Sequence, residues 1–215
     1  HANTSAVIEF LPDDLSDFTA RYPQIRIDMQ ERLSHEIIAA VRDGLTDIGI
    51  FSAHIPAEGL SIHPYRRDRL VLVTARDHPL ATRQSLSFAE TLDYDFIGLE
   101  QDSSLHALLH QDSQRLAQPL RMRIQVRSFE GICRMIDRGM GIGILPARAV
   151  AAYRESLSLA TIPLIDEWAE RELVIGVRDL DALPLIARQM VEHLAGAGSR
   201  DADTDADIEK TAGTL

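Results

Sequence analysis

Small hydroxyl- and amide-bearing residues recur where a strand signal gives way to a helix signal: Asn3-Thr4-Ser5, Ser34, Ser103-Ser104 and Ser128. Such side chains accept hydrogen bonds from the first N–H groups of a helix, and capping worth about 1 kcal/mol accounts for each one alone. Together they point to a second use. A helix N-terminus offers free N–H groups and the positive end of a dipole, so N-termini at the carboxyl ends of strands suit a small anion such as a carboxylate. Arg127, directly before Ser128, and Arg66 and Arg67 could each grip a carboxylate with both arms of a guanidinium, or be ordinary solvated arginines. Phe129 is as well placed to pack on an apolar ligand body as to join a core.

Other candidates for chemistry are weaker. GMGIGILP, Gly139 to Pro146, imitates a glycine-rich phosphate turn, but a dinucleotide fingerprint follows a strand and opens a helix. Here a helix signal precedes the glycines and a strand signal follows them, so the run reads as structural. His106 and His110 share a helix face in HALLH without the glutamate of HExxH, and read as semi-exposed side chains. Cys133 lies mid-helix beside Ile132 and reads as core, and Asp13-Asp14 read as a solvated turn. There is no GxSxG elbow, no P-loop and no CxxC, and Lys210 is the only lysine, which leaves no Schiff-base candidate. No catalytic residue, metal ligand or cofactor is therefore expected.

The elements that must position these residues alternate as in an α/β protein. A helix is expected from Asn3 to Tyr22, bent or restarted at Pro12, then a strand IRIDM from Ile25 to Met29. Ser34 caps a helix closed by Gly44, and DIGIF is a short buried strand. Leu60 to Ala75 reads as extended, with LVLV apolar enough for the middle of a sheet. FIGL, a helix from Ser103 or Ser104, MRIQV, a helix from Ser128, IGIL, a helix AVAAYRES, and strands near LATIPL and ELVIGV follow, with a last helix from Leu183 to about Leu194. RIDM–Ser34–helix–RDG–DIGI matches RIQV–Ser128–helix–DRG–GIGI in spacing, which raises the question of two similar lobes.

Bulk properties narrow the function. The chain has 215 residues and a formal net charge of −11, which argues against its gripping nucleic acid by itself. Five acids against Arg200 and Lys210 between Ser199 and Leu215 mark residues 199–215 as a disordered acidic tail. A single cysteine fits a reducing compartment, no apolar run is long enough to span a membrane, and no secretory leader is seen. HANTSAVIEF carries no initiator methionine, so a fragment of a longer protein is expected.

Four stretches carry a family resemblance: ANTSAVIEFLPDDLSDFTARYPQIRIDM, VRDGLTDIGIF, RDRLVLVTARDHPLA and FEGICRMIDRGMGIGILP. The sequence resembles the effector-binding domain of LysR-type bacterial transcriptional regulators from Ala2 to about Ala195. The resemblance implies an α/β fold of two Rossmann-like lobes joined by two crossover strands, like type 2 periplasmic binding proteins. Residues 1–73 and 163–198 would form lobe I and residues 74–162 lobe II, with a small, by this reading anionic, effector between them. Carried over by position, the effector contacts are Asn3, Thr4, Ser5, Ser34, Ser103, Ser104, Arg127, Ser128 and Phe129. It further implies a cytoplasmic homodimer or higher homo-oligomer with no membrane partner, reaching DNA only through an N-terminal winged helix-turn-helix. That domain is absent from this sequence, and the first lobe-I strand is missing or cut to its last residues. The alternatives are a solute-binding protein of a transport system, which shares these lobes, and an enzyme on the same fold.

Overall fold

The computed structural model describes residues 1–197, so the acidic segment 199–215 lies outside the described residues. The chain forms two compact units, His1–Arg67 with Glu172 onward, and Asp68–Arg171.

The first unit starts with α1 (Thr4–Glu9), α2 (Leu11–Arg21) and α3 (Ser34–Arg42), then β1 (Gly49–Ser52). It also holds the first part of β2 (Ser61–Ala75), the last part of β7 (Glu170–Val177), and α7, residues 185–197. The expected single helix through Tyr22 is divided at Phe10, which ends α1 and precedes α2. Pro12 then falls in the first turn of α2, where its missing N–H costs nothing. β1 pairs antiparallel with β7 from Gly49↔Gly176 to Ser52↔Leu173. Ala6, Phe10, Leu11, Tyr65, Ile175 and Val191 form one core cluster, and Ile37, Val41, Phe51 and Val174 another.

The second unit contains the rest of β2, then β3 (Phe96–Leu99), α4 (Ser104–Arg115), β4 (Met122–Val126), α5 (Phe129–Asp137), β5 (Gly143–Pro146), α6 (Ala147–Ala151) and β6 (Leu159–Pro163). Short 3-10 turns lie at Pro79–Thr82, Phe88–Thr91 and Glu167–Ala169. β2 is continuously buried from Leu70 to Ala75, and there it pairs antiparallel with both β5 and β6. A strand flanked on both edges and covered on both faces must be apolar throughout, which is what LVLV provides. The division into units falls at Arg67–Asp68 and Arg171–Glu172, where residues 73 and 163 were expected to mark it. The pairing of β6 with Val71–Ala75 keeps residues 159–171 in the second unit.

The spacing match between the two halves is a structural repeat. In the second unit, β3 lies between β4, its parallel partner, and Ile142, which bridges Phe96 in parallel. In the first, Ala2 holds the equivalent place, bridging Glu31 on one side and Ile50 on the other, both in parallel. The difference is length. Arg26 to Met29 take part in none of the backbone–backbone hydrogen bonds found among the described residues. The strand expected at IRIDM is not formed, and a groove of about 200 Å³ lined by residues 25–29 also reaches Ile48, Leu11 and Met190.

GMGIGILP has the order helix, glycines, strand. Gly139 ends α5 with φ +69°, the left-handed conformation that glycine adopts without a Cβ penalty. Gly141 lies so close to β3 that an added Cβ would stand 2.5 Å from the Asp95 carbonyl oxygen. Since a backbone carbonyl held next to a strand cannot step aside, Gly141→Ala is expected to cost about 1–3 kcal/mol of stability. A urea melt would read this as a lowered midpoint, whereas Gly196→Ala, where nothing lies within 4 Å, should leave the midpoint at or above the parent's.

Candidate functional site

In the first unit the helix starts are set side by side by the parallel bridges. Ala2 N–H donates to the Gln30 carbonyl at 3.0 Å, Arg32 N–H donates to the Ala2 carbonyl at 3.1 Å, and Asn3 N–H donates to the Ile50 carbonyl at 3.0 Å. The chain therefore enters α1 directly beside the segment that leads into α3. Asn3 is the N-cap of α1; its Oδ1 accepts from Ala6 N–H at 3.0 Å and its Nδ2 donates to Ser52 Oγ at 3.3 Å. Thr4 Oγ1 donates to Glu31 Oε1 at 2.6 Å, and Ser5 is buried.

Ser34 departs from expectation. The N-cap of α3 is Leu33, whose N–H donates to Glu36 Oε2 at 3.1 Å, so Ser34 stands one place inside the helix and does not cap it. Its hydroxyl, in a residue only 3 % exposed, has no hydrogen-bond partner. An unpaired buried hydroxyl costs about 1–3 kcal/mol. It stands in the first turn of a helix, among N–H groups that have no intrahelical acceptor.

In the second unit the parallel pairing of β3 and β4 delivers both helix starts to the same sheet end, as Glu100 N–H donates to the Val126 carbonyl at 3.2 Å. Ser103 caps α4 through Oγ, accepting from His106 N–H at 3.1 Å, and Ser104 is the first helical residue. Ser128 caps α5, accepting from Gly131 N–H at 3.0 Å. Arg127 Nε donates to Glu100 Oε2 at 2.8 Å, with the arginine side chain 86 % exposed. Phe129 is fully buried in the unit's core with Ile132 and Ile136, so its ring has no surface for a ligand; only its backbone belongs to the helix start. The strong amphipathic pattern of α5 turns position 129 inward together with 132, 133 and 136.

Three other residues were read differently in the sequence. Asp14 is buried, not part of a solvated turn. It accepts from Tyr65 Oη at 2.6 Å and from Arg66 Nη2 at 2.5 Å. Arg66, which also donates to the Ala197 carbonyl at 2.8 Å and lies over the Phe10 ring, is consumed by the fold and is not a ligand clamp. His106 is buried, while His110 is exposed. Gln125 Nε2 lies 3.3 Å from His106 Nδ1, which assigns Nδ1 as acceptor and the ring proton to Nε2. Burial, then the neighbouring His110, holds the His106 pKa below its ordinary value, against Asp102.

Two cavities lie away from the helix starts: the groove beside Arg26–Met29, and a space of about 340 Å³ bounded by His78, Tyr94, Asp95, Arg123 and Met140. Neither is lined by any of the expected contact residues. Among the described residues, no group of three or more His, Cys, Asp or Glu is placed to hold a metal ion, and no helix is long and apolar enough to cross a membrane. Cys133 is fully buried, and burial, aided by Glu130, pushes its thiol up to about 11.

Residues 1–199 match the family model described as the LysR substrate binding domain. An uncharacterized HTH-type transcriptional regulator of Escherichia coli, YbhD, is 28% identical over 179 residues, covering 83% of this chain and 56% of its own length. The Bacillus subtilis regulator YwbI is 27% identical over 186 residues, covering 86% and 61%. The chain thus spans between half and two thirds of the length of these relatives. Among solved structures, the regulatory domain of Synechocystis CcmR in complex with 2-PG superimposes with a TM-score of 0.82 at 24% identity, covering 92% of this chain and 94% of that one. The effector binding domain of QuiR in complex with shikimate gives 0.80 at 17%, covering 93% and 95%. These likenesses establish the fold: α/β, of the type 2 periplasmic-binding-protein kind.

Two measurements check the electrostatic assignments. Cys133 should stay unreactive toward a thiol reagent at about pH 8 in the native protein and react fully in denaturant, as expected for a buried, protonated thiol. Because the fold lowers the pKa of His106, the unfolded chain takes up that proton first as pH falls below the ordinary histidine value. The contribution of neutral His106 is intact above that value and is lost on acidification, so His106→Gln should lose less stability than the parent between about pH 7.5 and 5.5.

Proposed function

We propose, from the premise that the chain belongs to the LysR substrate binding domain family, that it is the effector-sensing part of a LysR-type DNA-binding transcription regulator. Its role is to bind a small anionic effector without transforming it. DNA is contacted by a helix-turn-helix domain outside these residues; the net charge of −11 opposes direct phosphate binding here. The regulator works in the cytoplasm as a homodimer or higher homo-oligomer. The relatives' description as HTH-type transcriptional regulators supports this reading over a transport receptor.

The observation that carries the site assignment is the Ser34 hydroxyl, buried and unpartnered in the first turn of α3. The effector accepts a hydrogen bond from it and from first-turn N–H groups, with Asn3, Thr4 and Ser5 at the neighbouring helix start. The second unit offers helix starts of the same kind to an anion at Ser103, Ser104 and Ser128. Arg127 adds positive charge, tempered by its pairing with Glu100, and Phe129 takes part through its backbone alone.

A thermal-shift screen of carboxylates, sugar acids, aromatic acids and phosphorylated acids tests the reading. At least one should raise the melting temperature of the parent. Ser34→Ala should weaken that ligand by about 10- to 100-fold, as expected for losing a hydrogen bond to a charged group. Without ligand, Ser34→Ala should be neutral or stabilising, since it removes an unpaired buried hydroxyl, whereas Ser128→Ala should cost about 1 kcal/mol as a lost cap. Unchanged affinity in Ser34→Ala would remove α3 from the site.

A further inference from the structure

The space bounded by His78, Tyr94 and Met140 lies wholly within the second unit and shares no residue with the helix starts. At about 340 Å³ it stands at the small end of the range for sites that hold one small molecule. Its walls follow from local structure. The chain leaves β2 at Ala75, and His78 caps the 3-10 turn that follows, its Nδ1 accepting from Leu80 N–H at 3.2 Å. That bond leaves the ring proton on Nε2. Burial holds the His78 pKa below its ordinary value, against the pull of Asp77, so the ring is a neutral imidazole.

The His78 ring meets Tyr94 at 62°, with 4.9 Å between centroids, an edge-to-face contact. Met140 joins the lining from the turn after α5, where Gly139 takes the left-handed conformation. At 42 % exposure Met140 is a large apolar side chain left at the surface, on the same space as the two rings. The lining thus offers one apolar and aromatic wall.

Three charged side chains also line the space, and two of them are spent on each other. Asp95 is held by Arg121 at 3.3 Å and Arg123 at 3.7 Å, and Arg123 also donates to the Met140 carbonyl at 3.1 Å. Asp77 differs. Among the described residues no hydrogen bond or ion pair engages its carboxylate, and Arg76, next to it in sequence, does not line the space. A lone exposed carboxylate is ordinary on a surface. Beside a wall of aromatic rings it sets a preference, because it attracts a cation and repels an anion, and a ring face adds to the attraction. An anion would have to draw Arg123 away from Asp95 and a carbonyl. A metal ion would find one free carboxylate and an imidazole whose Nδ1 is already engaged.

We propose that this space is a binding site for a small organic amine, separate from the anion site at the helix starts. Asp77 pairs with the ammonium, and Tyr94, His78 and Met140 cover a body of one ring or a short alkyl chain. A ligand of about ten heavy atoms held by one exposed charge pair binds with a dissociation constant on the order of 1 mM.

The test titrates the whole chain and follows its amides by NMR. Tyramine is the probe, with p-ethylphenol and p-hydroxyphenylacetate as matched neutral and anionic compounds. Tyramine should shift the Asp77, Tyr94 and Gly141 amides to saturation. The neutral compound should bind about 5-fold more weakly, as expected for losing an exposed ion pair, and the acid more weakly still. Raising the salt from about 50 to 500 mM should weaken tyramine and leave p-ethylphenol unchanged. Asp77 is exposed and unpaired, so Asp77→Asn keeps the fold. It should bring tyramine down to the level of p-ethylphenol without changing p-ethylphenol itself, a split that a structural disturbance would not produce. Ser34→Ala should leave all three affinities as they are, which keeps this test independent of the effector reading. Tyramine shifts at Ser34 or Ser128 instead, shifts spread over the acidic surface, equal affinity for the acid, or unchanged tyramine affinity in Asp77→Asn would each overturn the proposal.

Discussion

A helix that leaves a parallel strand must begin with N–H groups that no residue of the helix can satisfy. That constraint organises this molecule. Each unit brings two such beginnings to one end of a sheet, α1 beside α3 in the first and α4 beside α5 in the second. Three of the four are answered from within the chain by Asn3, Ser103 and Ser128. The fourth, α3, is answered by Glu36 reaching back to Leu33, which leaves the Ser34 hydroxyl out of the capping arrangement. Of the helix-start residues, Ser34 thus keeps a buried and unsatisfied hydroxyl, at the end of the sheet where anions are favoured.

Much of this arrangement was legible in the sequence because capping and periodicity are local. Asn3, Ser103 and Ser128 cap helices as their residue types require, and the order of elements around GMGIGILP follows from the glycines ending one helix before a strand. Ser34 was placed one position off because Leu33 has no capping side chain to announce it; the partner that matters, Glu36, signals only in retrospect. IRIDM shows how alternation describes a strand that needs a neighbour. Residues 26–29 form no backbone–backbone hydrogen bond among the described residues, and a groove lies beside them. Phe129, Asp14 and Arg66 share one cause of error. Burial and long-range pairing decide their roles, and Asp14 meets Arg66 across 52 residues of chain.

The charged residues that escaped the sequence reading are also those that tie distant elements together. The carboxylate of Asp14 is held by Tyr65 and Arg66, and that of Asp68 by Arg171, so α2, β2 and β7 are all linked through buried carboxylates. Both cations are arginines, in a chain whose only lysine is Lys210. A guanidinium presents donors in a fixed fork and is less strongly hydrated than an ammonium, so it can be buried against a carboxylate at lower cost. Arg66 uses its fork to reach Asp14 and the Ala197 carbonyl at once, tying α2 and α7 to β2. Arg171 uses its own to hold two oxygens of one carboxylate.

These two buried clusters differ in what they hold. The Asp14 cluster lies wholly inside the first unit and lends it stiffness, tying the helix after α1 to the strand that leaves the unit. The Asp68 pair lies in the second unit, at the end of β2 that leads into its apolar run. A buried pair that grips both carboxylate oxygens tolerates only one alignment of its two strands, since sliding either strand leaves two charges buried and alone. What the Asp14 cluster does for the helices of the first unit, the Asp68 pair thus does for the strands of the second: one carboxylate and one guanidinium fix an alignment that apolar packing by itself leaves open.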